Sequence, residues 1–560
     1  MAEGSRSSLA GADAKQTPST WVRLLIPSVG NVMVVAMLGV LLLTPLAVRL
    51  LGDGGIGWHI RAGQQILATH TISSVDSFSS TMTGKPWFAW EWLYDVAVGW
   101  LEQAAGLNGV VWFAAVILSL VFAWTFRLLV RRGVGLFLAV GLVLLAASAA
   151  MIHFLARPHV VSWLFTLAWF AILDSSERCC FEGRPARRSQ GFLWGLPVLM
   201  LVWVNVHGGF PIAFVLFTIY WLSAVWVWFR LRDNDFDDLL LRIHAGRRIR
   251  DLILVSGLSA LATLVNPYGW KLHGHIYQYL SNRFLIDHID EFRSPNFHGV
   301  AQRCFAFLLL LALVGLAARP RRLRLSEGLV VLFAIYSGLY ASRNIPASSL
   351  LLILVSGPLL AEAMERVGMG RWWLSPGWWR ASASLRLGGT AEAAVPTFFG
   401  RMAAVESRAR GHLWPIAAVV LAGFVAANGG RLASRTVVAA GFDAKRFPIA
   451  AVDFLERNET REPVMTPDYW GGYMIYRLYP KVRVVIDDRH DLYGEDFLKG
   501  YLRCIHVEPG WEDFLRQHRV HRALVPKESP LANILGLSAE WKPLYKDDVA
   551  VLFEEKQSRR

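Results

Sequence analysis

Leu51-Gly52-Asp53-Gly54-Gly55-Ile56-Gly57-Trp58-His59-Ile60-Arg61-Ala62-Gly63 follows directly on a predominantly apolar run from Leu24 to Val48. That run is preceded by Arg6, Lys15 and Arg23, as the core of a signal peptide would be. It is too long for that role and lacks a clear cleavage site, so it is read as a first transmembrane helix. The stretch after it cannot continue the span. Asp53, His59 and Arg61 are costly groups at a membrane edge, and such groups usually have a reason to be there.

The rest of the chain repeats the same alternation. Hydrophobic residues make up 54% of the 560, and charged residues only 18%, against about 25% in soluble domains. A bilayer-crossing helix needs about 20 apolar residues. Eleven segments qualify as spans, several of them short: 27–48, 109–130, 134–154, 159–174, 191–207, 210–229, 252–267, 303–318, 327–342, 346–363 and 413–428. The net charge of +14 lies almost wholly among them. Residues 429–560 hold 21 basic against 20 acidic side chains, which leaves 36 against 23 for the remainder. With an inside N-terminus, the inner loops hold Arg127/Arg131/Arg132, Arg184/Arg187/Arg188, Arg230 to Arg250, Arg319/Arg321/Arg322/Arg324 and the stretch 364–412. All are rich in arginine, as the positive-inside rule requires, so the basic excess needs no nucleic-acid partner. Cys179, Cys180, Cys304 and Cys504 suggest neither a disulfide nor a zinc site.

The expected organisation is a cytoplasmic tail over 1–26, a membrane domain over 27–428 with a first outer loop at 50–108, and a C-terminal unit over 429–560. The fold class is polytopic α-helical membrane protein with a C-terminal soluble α/β domain. An odd number of spans puts that domain outside. Two amphipathic stretches in the first outer loop, from Trp58 and from Trp90, are read as helices lying flat at the membrane interface. In the C-terminal unit, 450–457, 495–504 and 511–517 read as helices. Arg483 to Ile486, Ala523 to Val525 and Val549 to Phe553 read as short strands.

Polar residues gather at the outer ends of the spans. Asp53 and His59 follow the first, and Glu91 lies in the same outer loop. Arg157-Pro158-His159 joins the third and fourth, Asn205-Val206-His207 ends the fifth, and Asn266-Pro267-Tyr268-Gly269 ends the seventh. Glu291 lies in the second long outer loop, and Arg343-Asn344 joins the ninth and tenth. Each turn alone is an ordinary helix-ending signal. Together, on one side, they describe a polar cavity. One carboxylate beside cations suits proton abstraction from an acceptor, with arginine and histidine binding a phosphate leaving group. The chain has no P-loop, nucleophile elbow or H-E-x-x-H motif.

A first span followed by an acidic residue and two outer-loop helices resembles the GT-C glycosyltransferases, polytopic enzymes that take a sugar from a polyprenyl-phosphate carrier. The chain is similar, more closely, to a group of bacterial membrane proteins with Arg-Pro-His, Asn-x-His-Gly, Asn-Pro-Tyr-Gly and Arg-Asn-x-Pro turns. These share a C-terminal segment like Tyr469-Trp470-Gly471-Gly472-Tyr473 followed by Val485-Ile486-Asp487-Asp488-Arg489. The resemblance implies an inverting transferase in the inner membrane, working on its outer face with a polyprenyl-phosphate-linked sugar and a glycan, lipid or protein acceptor. Asp53 would be the base, and Arg343, Arg157 and His207 would hold the departing phosphate. His59 and Glu91 would position the acceptor, and His159, Asn205, Asn266, Glu291 and Asn344 would complete the substrate site. The group's loop often carries a second Asp where this chain has Gly55, so a divalent metal has no clear ligand motif here. Two other readings stand beside this one: a transporter or flippase of a lipid-linked substrate, and a non-catalytic envelope assembly protein docking through Asp487 to Asp491.

Overall fold

The computed structural model describes residues 25–181, 191–231, 236–318, 321–366, 406 and 411–556. Every apolar segment of the sequence falls on a helix. Six helices are long and apolar enough to cross a membrane: Trp92–Arg131, Leu136–His153, His159–Phe181, Pro211–Arg230, Val300–Ala317 and Ser342–Arg366. Val29–Leu43, Gly191–Val206, Leu325–Tyr340 and Leu413–Ala427 are apolar but shorter. Outward-facing Leu261, Leu310, Leu313, Val420 and Phe424 stay exposed, which suits a lipid surface. The chain is a membrane protein.

Two helices form the centre. Ile345–Arg366 is buried without a break from Ser348 to Leu360, and Trp92–Arg131 buries a face along most of its length. The second flat helix and the second span are one element here. Trp92–Arg131 is continuous except for a kink at Gly106, whose φ of 61° suits glycine. The 252–267 segment likewise continues a helix that begins in the polar stretch, Phe236–Ala262.

At the helix ends opposite Asp53, several expected loop arginines are paired. Asp174 is bonded by Arg132 Nη2 at 2.6 Å, Arg178 Nε at 2.9 Å and Arg324 Nη2 at 3.0 Å. Arg324 also reaches Glu177, and Arg321 reaches Glu327. This network staples His159–Phe181 to the ends of its neighbours. Most of the 364–412 stretch lies outside the described residues.

The C-terminal unit carries helices Ile449–Arg457, Asp468–Leu478, Glu495–His506, Trp511–Gln517 and Pro530–Leu537. Its antiparallel sheet has the order Arg522–Pro526, Ala550–Glu555, Trp541–Lys546. Single bridges extend that sheet from Ala523 to Met465, from Val464 to Val484 and from Val484 to Ser79 of the first outer loop. The two units therefore share one edge and one apolar core, in which Trp58, Phe78 and Trp87 lie with Trp470, Tyr473 and Val484. Glycines permit the contact. A Cβ on Gly57 would stand 2.1 Å from the carbonyl oxygen of Gly472, and one on Gly54 2.4 Å from that of Tyr469. Helix Ile56–Thr69 is consequently buried between Trp92–Arg131 and Asp468–Leu478 instead of lying on a membrane surface. Trp58 is inside, only 6% exposed.

Candidate active site at the outer helix ends

Asp53 sits in the turn between the short helix Leu46–Arg49, which follows Val29–Leu43, and Ile56–Thr69. Its Oδ1 accepts the Gly55 N–H at 2.8 Å, and its Oδ2 accepts Arg157 Nη1 at 2.9 Å. The same Nη1 donates to Asp488 Oδ2 at 2.8 Å, and Trp58 Nε1 donates to Asp488 Oδ1 at 2.9 Å. One guanidinium thus ties the first outer loop, the 151–158 turn and the C-terminal unit together. The three side chains keep 23, 21 and 15% of their surface, so they are held and still reachable. Arg157 Nε and Nη2 have no hydrogen bond within the described residues. Burial pushes the Asp488 carboxyl up, Asp53 and Asp487 push the same way, and Arg157 opposes them.

Beside this triad lies a second chain of groups. His59 is fully buried, stacked on Trp58 at 3.6 Å, and its Nδ1 meets Asp95 Oδ1 at 2.6 Å. Glu91 stands between two imidazoles, with His59 Nε2 at 3.7 Å and His207 Nε2 at 3.6 Å. His207 Nδ1 accepts the Gly209 N–H at 3.0 Å, so Ser162, at 2.8 Å, donates to it as well. The proton of neutral His207 is therefore on Nε2, facing Glu91. Burial, with the positive charges of nearby arginines, holds His59 and His207 well below the usual imidazole range. Burial raises Glu91 to about 8, against the pull of Arg157. Burial thus favours the protonated carboxyl on Glu91 and the uncharged ring on both histidines.

Arg343 makes no hydrogen bond or ion pair with a described residue and lies over the Phe292 ring at 4.5 Å. Burial alone would raise Glu291, but His153, then Arg343, Arg157 and His490, hold it below the usual carboxylate range. Asp53, His59, Glu91, Arg157, His207, Glu291 and Arg343 thus share one neighbourhood. Of the other expected site residues, His159 lies in the same neighbourhood, within the field of Arg157 and Arg343, while the three asparagines are engaged in their own turns. His159 Nε2 donates to the His153 carbonyl at 2.9 Å, bracing its own turn. Asn205 accepts from Trp92 Nε1 at 2.7 Å and donates to the carbonyls of Leu201 and Val265. Asn266 bonds Thr263, Gly269 and Tyr268 within its turn. Asn344 Nδ2 donates to the Ser337 carbonyl at 3.2 Å. These asparagines build the turns that carry the site.

From sequence, Asp487 to Asp491 read only as a docking segment after an apolar strand, and Asp488 is not among the expected site residues. All are engaged inward. Asp487 binds Arg489, Arg489 Nη2 reaches Asp76 of the first loop at 2.8 Å, and His490 meets Asp468 at 2.8 Å. Asp491 meets His275 of the second outer loop at 2.9 Å. The available signal was the adjacency of Asp487 and Asp488. Among the described residues, no group of three or more His, Cys, Asp or Glu side chains is arranged to hold a metal ion.

No known protein-family profile matches the sequence, and no curated protein matches it. Solved structures do match. The oligosaccharyltransferase of Archaeoglobus fulgidus, tethered to an acceptor peptide containing the NVT sequon, aligns over 91% of this chain and 70% of its own, with a TM-score of 0.54 and 11% identity. AglB of the same organism, in complex with an inhibitory peptide and a dolichol-phosphate, aligns over 89% and 69%, with a TM-score of 0.51 and 13% identity. ArnT from Cupriavidus metallidurans in the apo state aligns over 95% and 97%, with a TM-score of 0.47 and 14% identity. The oligosaccharyltransferase likeness shows the architecture: this chain has the same membrane fold as the Archaeoglobus enzyme.

Proposed function

We propose that the protein is a glycosyltransferase that moves a sugar from a polyprenyl-phosphate carrier to an acceptor at the outer face of the membrane. The observation that carries the reading is Asp53, fixed by Gly55 and Arg157 at the outer end of the first helix of a GT-C fold. In the proposed step, the acceptor's hydroxyl or amide attacks the anomeric carbon and its proton passes to Asp53. The bond from that carbon to the phosphate oxygen breaks with inversion. The polyprenyl phosphate leaves with its charge held by Arg343 and the His207 Nε2–H. Arg157 holds Asp53 in place, with its outer edge free for the phosphate. The eleven helical segments would all cross the bilayer, with the N-terminus inside and the 429–560 unit outside. The polar groups sit at helix ends and not at mid-span, which favours this reading over a transporter. The inward engagement of Asp487 to Asp491 likewise removes the surface on which the assembly reading rested.

The test is to incorporate purified full-length protein into liposomes containing labelled polyprenyl-phosphate sugars, with a cell-envelope fraction as acceptor source. Free polyprenyl phosphate should accumulate as label appears on the acceptor. Intact sugar lipid crossing the bilayer, with no covalent change, would overturn the proposal.

A further inference from the structure

A row of half-buried rings leads away from Arg343, and the transfer site as described does not use it. Phe292, beneath Arg343, packs on Tyr279 at 5.7 Å; Tyr279 packs on Trp90 at 6.1 Å, and Trp90 on His275 at 5.1 Å. The row joins the second outer loop to the first. Phe292 is buried, whereas Tyr279, Trp90 and His275 keep part of their surface open, unlike rings of a closed core. The polar atoms here are also uncommitted. Trp90 Nε1, the Tyr279 hydroxyl and the Glu291 carboxylate make no hydrogen bond to any described residue. Phe292 carries Arg343 over its ring and packs on Tyr279, so the row begins at the transfer site. Partly open aromatic faces edged by unpaired donors and acceptors are what a polyhydroxylated ring needs: apolar C–H surface on one side, hydrogen bonds at the rim.

We propose that the shelf formed by Trp90 and Tyr279 is the subsite for the glycosyl group of the lipid-linked donor, and that its ligand is an uncharged sugar. The proposal rests on the transferase reading and adds to it where the sugar lies and of what class it is. With the phosphate at Arg343, the sugar ring lies over Tyr279 and Trp90. Their O–H and N–H groups, with Glu291, take the ring hydroxyls. Glu291 and the His275-paired Asp491 place carboxylates at the rim, so a uronic acid meets like charge.

Binding of three probes to purified full-length protein tests this: undecaprenyl phosphate, its glucosyl phosphodiester and its glucuronosyl phosphodiester. The glucosyl lipid should bind about tenfold more tightly than the bare phosphate, a gain the glucuronosyl lipid lacks. Tyr279→Phe, which removes only a hydroxyl, should cut that advantage about threefold, and Tyr279→Phe with Trp90→Leu should erase it. Bare-lipid affinity should stay within about twofold in both variants, whereas Arg343→Gln should weaken all three probes. An advantage that survives the double variant, or that the parent never shows, overturns the subsite while bare-lipid binding leaves the transferase reading standing. Equal gain for the glucuronosyl lipid overturns the uncharged-sugar assignment. Failure of all three lipids to bind the parent overturns both.

Discussion

Replacing Gly55 with alanine puts two physical effects in opposition, and the site geometry decides between them. Gly55 has φ −57° and ψ −26°, a helical conformation that alanine prefers. From the backbone alone, Gly55→Ala should stabilise the protein by roughly 0.4–1 kcal/mol, because alanine restricts the unfolded chain. The added Cβ, however, would stand 2.2 Å from Arg157 Nη1, 2.2 Å from Asp488 Oδ2 and 2.9 Å from Arg157 Cζ. Both partners must retreat by nearly an ångström, and they are held at 2.8 Å to one another. Overpacking of this kind costs about 1–3 kcal/mol. Loss of the charge-assisted bond adds about 1.5 kcal/mol, the low end of the usual range because the side chains are partly exposed. The expected outcome is net destabilisation of about 3 kcal/mol. Loss of the Arg157 brace on Asp53 should also cut transfer about tenfold or more. Thermal unfolding in micelles reads the first effect and sugar transfer the second. Combining Gly55→Ala with Asp488→Ala removes one colliding atom, so the double variant should recover about 1 kcal/mol relative to additivity. A Gly55→Ala protein more stable than the parent and fully active would refute the reasoning.

Glu91→Gln addresses the buried relay. Folding lifts the Glu91 pKa from 4.5 to about 8, so the folded protein keeps a proton that the unfolded chain releases across that window. Stability from this source is full at acid pH and lost as pH rises. The variant lacks the linkage, so it should gain on the parent by up to about 1.4 kcal/mol per pH unit between pH 5 and 8. Parallel stability–pH curves would mean that Glu91 is charged in the folded state. Asp174→Asn, at the helix ends opposite Asp53, leaves Arg132, Arg178 and Arg324 without the carboxylate they share. It should cost about 3–5 kcal/mol in thermal unfolding, and an unchanged transition would show that the network carries little of the fold.

The helices were legible because their apolar length is set by the bilayer, and Asp53 and Arg157 because charge at a helix end is conspicuous. Asp488 was not, since its contact with Arg157 spans 331 residues of sequence and strand-end carboxylates are ordinarily solvated. Helix Asp468–Leu478 was hidden by Gly471 and Gly472, each worth about 1 kcal/mol against a helix. Tertiary contact reverses that preference, because a side chain at Gly472 would strike Gly54. Asn205 and Asn266 were read as binding residues because sequence does not distinguish an asparagine facing a ligand from one closing a turn. The flat placement of Ile56–Thr69 failed for a similar reason. Its amphipathic face suits a membrane surface and a protein partner equally, and the C-terminal unit is the partner.

The central claim is that Asp53 accepts the proton in sugar transfer. Its most direct test is the transfer rate of Asp53→Asn against the parent, with polyprenyl-phosphate binding measured on the same preparations. Asparagine is nearly isosteric and can still accept from Gly55 and Arg157, so folding and lipid binding should persist. Transfer should fall by about 10²–10⁴. An Asp53→Asn protein that binds the lipid and transfers sugar at the parental rate would contradict the account.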